Sequence, residues 1–166
     1  RALKKSGCVM LKLGLESGSQ TVLDALSKGI DLDEASGALR SLDKAGIAVY
    51  GYFLFGTPSE TEADAYQTLD FAVQHSECID FLNLAIFNLP ANSVEVKYLS
   101  TREFYEGDLS LYRSFHHPAG WQRGNVRSFV EKKFKKHPAI APIVQRTPEF
   151  FTSNHAPFFA FLKNSK

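Results

Sequence analysis

Gly51-Tyr52-Phe53-Leu54-Phe55-Gly56-Thr57-Pro58-Ser59-Glu60-Thr61 is the stretch that decides the fold. Residues 47–55 are rich in β-branched and aromatic side chains, which suit a half-buried pleated surface, and Gly56, Thr57 and Pro58 stop the strand. Thr61-x-x-Asp64 then has the spacing of a capping box, opening a helix with Ala65, Leu69, Ala72 and Val73 on one face. Working upstream, residues 8–14 form a short apolar run that ends in turn chemistry at Glu16-Ser17-Gly18-Ser19. Ser19 is placed to cap a helix through Val22, Leu23 and Leu26 that ends at Gly29. Asp31-x-x-Glu34 opens a second helix through Ala38, Leu39 and Leu42 to Gly46. Downstream, residues 79–86 read as a third strand, stopped by Asn88, Leu89 and Pro90. Strands recurring about every 30 to 40 residues with helices between them predict βαβ units and a parallel sheet, so the fold class is α/β.

Composition sets the outer limits. The chain has 166 residues, 44% hydrophobic and 22% charged, with a formal net charge of +1. That balance excludes collagen, coiled coil and wholesale disorder, and gives no global argument for nucleic acid or an anionic membrane. No apolar run is long enough to span a bilayer. Cys8 and Cys78 cannot build a disulfide framework, and with no apolar secretory segment among the first residues they set the expectation of a cytoplasmic location. Lys4-Lys5-Ser6-Gly7 reads as the last turn of a helix begun upstream, so the expectation is a fragment of a longer polypeptide. Past residue 95 the character changes. Residues 101–166 carry 11 Lys and Arg against 5 Asp and Glu, whereas residues 1–100 carry 8 against 13. Val126, Phe129, Val130 and Phe134 keep helical spacing up to a stop before Pro138. Beyond it Pro142, Pro148 and Pro157 predict short helical pieces and irregular chain.

In a parallel α/β sheet, ligands collect where strands end. Glu16 and Ser17 follow the first strand as an acceptor and a donor, between Gly14 and Gly18, which allow close backbone approach. As residues alone, this is equally a plain turn and a helix N-cap. Leu54 and Gly56 close the second strand, and can hold a flat heterocycle or simply form a strand–turn–helix junction. Asn88 and Leu89 close the third, at a site or in a plain loop.

Gly14-Leu15-Glu16-Ser17-Gly18-Ser19-Gln20 with Lys28-Gly29, then Lys44-Ala45-Gly46-Ile47, then the stretch from Gly51 to Thr61, resembles the C-terminal half of a radical S-adenosylmethionine (SAM) domain. The branch it resembles is the one often fused to cobalamin-binding domains. The resemblance spans residues 3–93. It implies half of a (βα)6 partial barrel, with residues 1–95 supplying strands four to six and residues 96–166 forming a basic, aromatic-rich C-terminal extension. It implies that Glu16 and Ser17 contact the ribose or methionine part of SAM, that Leu54 packs on adenine with Gly56 beginning the turn beside it, and that backbone groups at Asn88 and Leu89 meet the adenine edge. The parent would use SAM with a 4Fe-4S cluster, and cobalamin is a further cofactor that this branch implies. The cluster loop lies in the missing N-terminal half, so no catalytic or metal-ligating residue is assigned here, and the chain alone is expected to be inactive. Two departures stand out: Ser59 where relatives often have Gly, and Ala91-Asn92-Ser93 where Pro-Gly-Thr is frequent.

Two readings from other classes stand beside this one: a non-catalytic docking or nucleic-acid-binding module on a half-barrel scaffold, and a fragment of an unrelated (βα)8 enzyme using Glu16 as acid or base. Lys132-Lys133-Phe134-Lys135-Lys136 is the only basic run, and it reads more simply as the solvated side of an amphipathic helix. His75 reads as a helix cap, and His116 and His117, as sequence neighbours, should point apart. Alternation along the first strand predicts Cys8, Met10, Lys12, Gly14 and Glu16 on one face and Val9, Leu11, Leu13 and Leu15 on the other, under helices. Its free edge predicts a homo-oligomer, or coverage by residues 140–166. The remaining partners are the missing half-barrel, an unidentified substrate, and no membrane.

Overall fold

The computed structural model describes residues 2–103, 111–147 and 155–164. After a short helix α1 (Ala2–Lys5), strand β1 (Met10–Glu16) is followed by α2 (Gln20–Ala25) and α3 (Leu32–Lys44). Strand β2 (Ala48–Phe55), helix α4 (Glu62–Gln74) and strand β3 (Phe81–Ile86) complete the first half. The three strands form one sheet in the order β1-β2-β3, both pairs parallel. The α/β class and the parallel βαβ arrangement therefore hold. The caps explain why the helices start where they do. Asp31 accepts from the backbone N–H groups of Asp33 and Glu34, and Thr61 with Asp64 forms a complete capping box. Ser19 occupies its N-cap position, but its hydroxyl donates instead to Asp64 Oδ1 at 2.7 Å, tying α2 to α4.

The two faces of the sheet differ as alternation requires. Leu13 and Leu15 of β1, Val49, Phe53 and Phe55 of β2, and Leu82, Leu84 and Ile86 of β3 pack into one core with Leu39 of α3 and Ala65, Leu69 and Ala72 of α4. The leucine face of β1 thus lies under helices. Lys12, Gly14 and Glu16 share the opposite face with Tyr52, Leu54 and Ala85, where they line an open concavity of about 290 Å3.

Residues 96–166 contribute to the same core. Helix α5 (Arg123–Phe129) runs into one π-helical turn (Val130–Phe134), and α6 (Ala141–Gln145) follows. Trp121, Val126, Phe129, Phe134, Ile140 and Ile143 join the sheet-and-helix cluster, with Phe134 packed edge-on against Phe55 at 5.2 Å. Burying each such side chain contributes about 1.5–3 kcal/mol, so this segment carries part of the sheet's stability. Lys132 and Lys133 are exposed while Phe134 is fully buried, and Lys135 pairs with Glu131.

The segment also contains sheet, which the expectation of helical pieces and irregular chain did not include. Strands β4 (Leu89–Pro90), β5 (Thr101–Glu103) and β6 (Tyr112–Phe115) form a small antiparallel sheet in the order β4-β6-β5. Runs of two to four residues are too short for alternation to show in sequence. Helix α7 (Ala156–Asn164) lies against the concave face at the N-terminal ends of the strands, where Ala156 packs with Met10, Tyr50 and Phe81. Of the segment expected to cover the sheet edge, residues 148–154, Pro148 included, and 165–166 lie outside the described residues. No helix among the described residues is long and apolar enough to cross a membrane.

Candidate functional site

The C-terminal ends of β1, β2 and β3 carry the residues singled out in the sequence: Glu16, Ser17, Leu54, Gly56, Asn88 and Leu89. At the end of β1 the pairing register slips between Gly14 and Glu16. Glu16 takes a left-handed backbone, φ 61°, and a bond from the Ser17 N–H to the Leu15 carbonyl (2.8 Å) closes a tight turn around it. That region is unfavourable for any residue with a Cβ, and such positions cluster at ligand sites. The turn aims the Glu16 carboxylate back over Gly14: a Cβ built on Gly14 would lie 2.8 Å from Glu16 Oε1. Lys28 pairs with the carboxylate at 3.5 Å. Glu16 and Leu54 are thereby brought together on the concave face, a carboxylate acceptor beside an apolar floor.

Ser17 goes elsewhere. It is fully buried, and its hydroxyl shares a 3.1 Å hydrogen bond with Thr68 Oγ1 of α4 and accepts from the Ser19 N–H. Gly18 likewise serves packing rather than a ligand. A Cβ there would meet Gln67 O and Thr68 Cα at 2.6 Å, so glycine is what lets this turn touch α4. Gly56, Asn88 and Leu89 gather at a second place, a small cavity of about 40 Å3 above β2 and β3, walled also by Phe87, Phe115 and Val126. Leu89 is fully buried and Asn88 is exposed.

Sequence reasoning missed the groups that hold this second place together. Glu60 is fully buried; its Oε2 accepts from the Gly56 N–H and from Trp121 Nε1 (2.9 Å). Its Oε1 has no hydrogen-bond partner among the described residues. Burial pushes the Glu60 carboxyl up to about 7, with the nearby Asp64 charge adding to it and the Gly56 and Trp121 hydrogen bonds opposing. Asp64 moves the other way. Burial raises it, but hydrogen bonds from Thr61 and Ser19 outweigh that and leave it below the usual aspartate value. His117 is buried, with Nε2 2.8 Å from the Thr57 carbonyl and Nδ1 receiving the Ala119 N–H. A carbonyl only accepts, so Nε2 carries the proton and the ring is the neutral Nε2–H tautomer. Arg123 donates to the Phe87 carbonyl at 2.9 Å. Residues 117–123 therefore grip the loops after both β2 and β3. Glu60 stood inside the decisive stretch, yet only its partner 61 positions away makes it a buried acid.

His116 is exposed where His117 is buried, and His75 is bonded to the Phe71 carbonyl four residues back in its own helix. Cys8 precedes β1 and Cys78 precedes β3, both at the N-terminal ends of strands, opposite the site. Among the described residues no group of three or more His, Cys, Asp or Glu is placed to hold a metal ion.

An acidic acceptor and an apolar floor at parallel-strand ends suit a ligand that joins sugar hydroxyls to a flat ring. The comparisons point to one class. The chain is 33% identical over 72 residues to an uncharacterised methyltransferase of Pyrococcus horikoshii, covering 43% of this chain and 16% of that protein. It matches the bacteriochlorophyllide d C-12(1)-methyltransferase of Chlorobaculum tepidum at the same identity and coverage. A putative methylthiotransferase of Methanocaldococcus jannaschii is 37% identical over 60 residues, covering 36% of this chain and 13% of that protein. The chain thus spans about a sixth of the length of the first two and less of the third. No family model matches it.

Proposed function

We propose that this chain is the C-terminal half of a radical SAM barrel, residues 1–95 supplying its strands four to six, and that its part in the parent enzyme is to bind and orient SAM. The carrying observation is Glu16, held with φ 61° on the concave face beside Leu54. A ribose offers two hydroxyl donors that a carboxylate at this place can accept. Leu54 supplies the floor for adenine, and the loop at Gly56, Asn88 and Leu89 supplies backbone groups for its edge. The methyltransferase and methylthiotransferase relatives support a SAM-using parent.

The residues here fit SAM and do not fit an iron–sulfur cluster. Cys8 and Cys78 sit at the strand ends remote from Glu16, so a 4Fe-4S cluster would draw its thiolates from the other half of the barrel. Cobalamin is a further cofactor proposed for the parent. The chain's own contribution is therefore binding and orientation: Glu16 accepts from the ribose, Leu54 excludes water from one adenine face, and Lys28 pairs with the carboxylate and holds it in place. The parent's substrate, the missing half-barrel as partner, and self-association through the free edge of β1 belong to the same proposal.

The test is amide NMR of the chain titrated with SAM. Saturable shifts at Gly14, Glu16, Leu54 and Gly56 are expected, lost in E16Q and L54A. Shifts confined to other residues, or none at all, overturn the reading.

A further inference from the structure

Beside the small cavity above β2 and β3 lies a larger groove of about 460 Å3, and the two share Ser114, Phe115, Gln122 and Arg123 as a common wall. The groove runs between the β5–β6 hairpin and the start of α5, and Arg102, His116 and Thr101 form its other side. Arg102 and Arg123 are cations, Ser114 and Thr101 add hydroxyls, and among the described residues no Asp or Glu lines either space. Neither Arg102 nor Arg123 forms an ion pair among the described residues. Arg123 is held in place by its bond to the Phe87 carbonyl, so one guanidinium sits at a set position on the wall between groove and cavity. Behind that wall the lining turns apolar, with Phe87, Leu89 and Val126.

We propose that this groove binds the oxyanion, carboxylate or phosphate, of a small-molecule substrate. Guanidiniums without an ion-pair partner among the described residues are available to a carboxylate or phosphate, and hydroxyls in the same lining can donate to its remaining lone pairs. A volume of this size, walled on two sides, suits a small molecule rather than an extended polymer. The basic run at residues 132–136 lies outside its lining, so no continuous basic track leads out of it. The inference deepens the functional reading above and rests on it only for the ligand's role as the parent's substrate.

The chain contains one tryptophan, Trp121, and it lines the cavity. It also directly precedes Gln122 and Arg123 of the wall shared with the groove, so its fluorescence reports on that wall. Inorganic phosphate and citrate, titrated without SAM, should each give a saturable change. R102Q and R123Q should each weaken binding about tenfold or more, the fold-change expected for a lost charge-assisted hydrogen bond, while K132Q leaves it unchanged. R102Q is the decisive variant, because Arg102 is exposed and its removal spares the core; circular dichroism checks that both variants fold. Anion binding indifferent to R102Q, or no saturable response, overturns the proposal. So does tighter binding of a DNA oligonucleotide that K132Q abolishes. Phosphate binding with no SAM-dependent shifts at Glu16 and Leu54 would keep the groove and remove the SAM reading; the reverse result would remove only the groove.

Discussion

Glu60 makes stability depend on pH in an unusual direction. Its carboxyl is fully buried and stands at about 7 in the folded chain against an ordinary 4.5. A group whose folded value is raised binds its proton more tightly in the native state, so its contribution is complete below the unfolded value and is lost as pH rises through the folded one. Between pH 5 and pH 8 the folded chain should lose on the order of 3 kcal/mol from this group alone. Asp64 does not interfere, because its folded value is lowered and its contribution fades only as pH falls below the ordinary carboxylate range. W121F removes the Nε1 donor to Glu60 Oε2 while keeping most of the packing against Phe129. The cost should be about 1 kcal/mol at pH 5, where the acceptor is a neutral acid, and about 1.5–3 kcal/mol at pH 8, where it is a carboxylate. The assay is urea unfolding at pH 5, 6, 7 and 8 followed by circular dichroism, since the variant has no tryptophan. E60Q should flatten the wild-type slope. Wild-type stability that rises from pH 5 to pH 8, with a W121F penalty equal at both ends, would refute the reasoning.

G18A should destabilise by about 1–3 kcal/mol or more, because its Cβ meets backbone atoms of α4 at 2.6 Å rather than flexible side chains; a melting temperature within error of wild type would contradict this. At position 16 the usual ranking of alanine over glycine should invert, with E16G about 1 kcal/mol more stable than E16A, because φ 61° suits only glycine; equal melting temperatures would mean that the turn carries no strain. Among the described residues β1 pairs within the parallel sheet with β2 alone, so light scattering over a rising concentration series should show self-association, and a strict monomer throughout would mean that the edge is covered.

What could be read in the sequence was whatever depends on neighbours a few residues away. The Thr61–Asp64 capping box, the Asp31 cap and the alternation of leucines along β1 are local, and each stands where its spacing put it. β5 and β6 escaped because three or four residues show no period, and their pairing crosses a connection that sequence gives no means of closing. The join between residues 96–166 and the sheet escaped for a related reason. Val126, Phe129 and Phe134 announced an apolar helix face but not which surface it would cover.

The candidate site divides along the same line. Glu16 and Leu54 come together because period-two alternation and the parallel register of β1 with β2 are both legible, so two strand ends can be superposed without coordinates. Ser17 parts from Glu16 because one turn residue with φ 61° redirects the chain, and nothing in Glu16-Ser17-Gly18 specifies that the left-handed residue is the glutamate rather than the glycine. Glycine is the ordinary choice at such a position, and here Gly18 is reserved by its contact with α4. The strain thus falls on the one residue in the turn whose side chain reaches the concave face. A turn free to place its glycine at position 16 would leave that face without a carboxylate, and so the packing demand of α4 and the chemistry of the site are fixed by the same three residues.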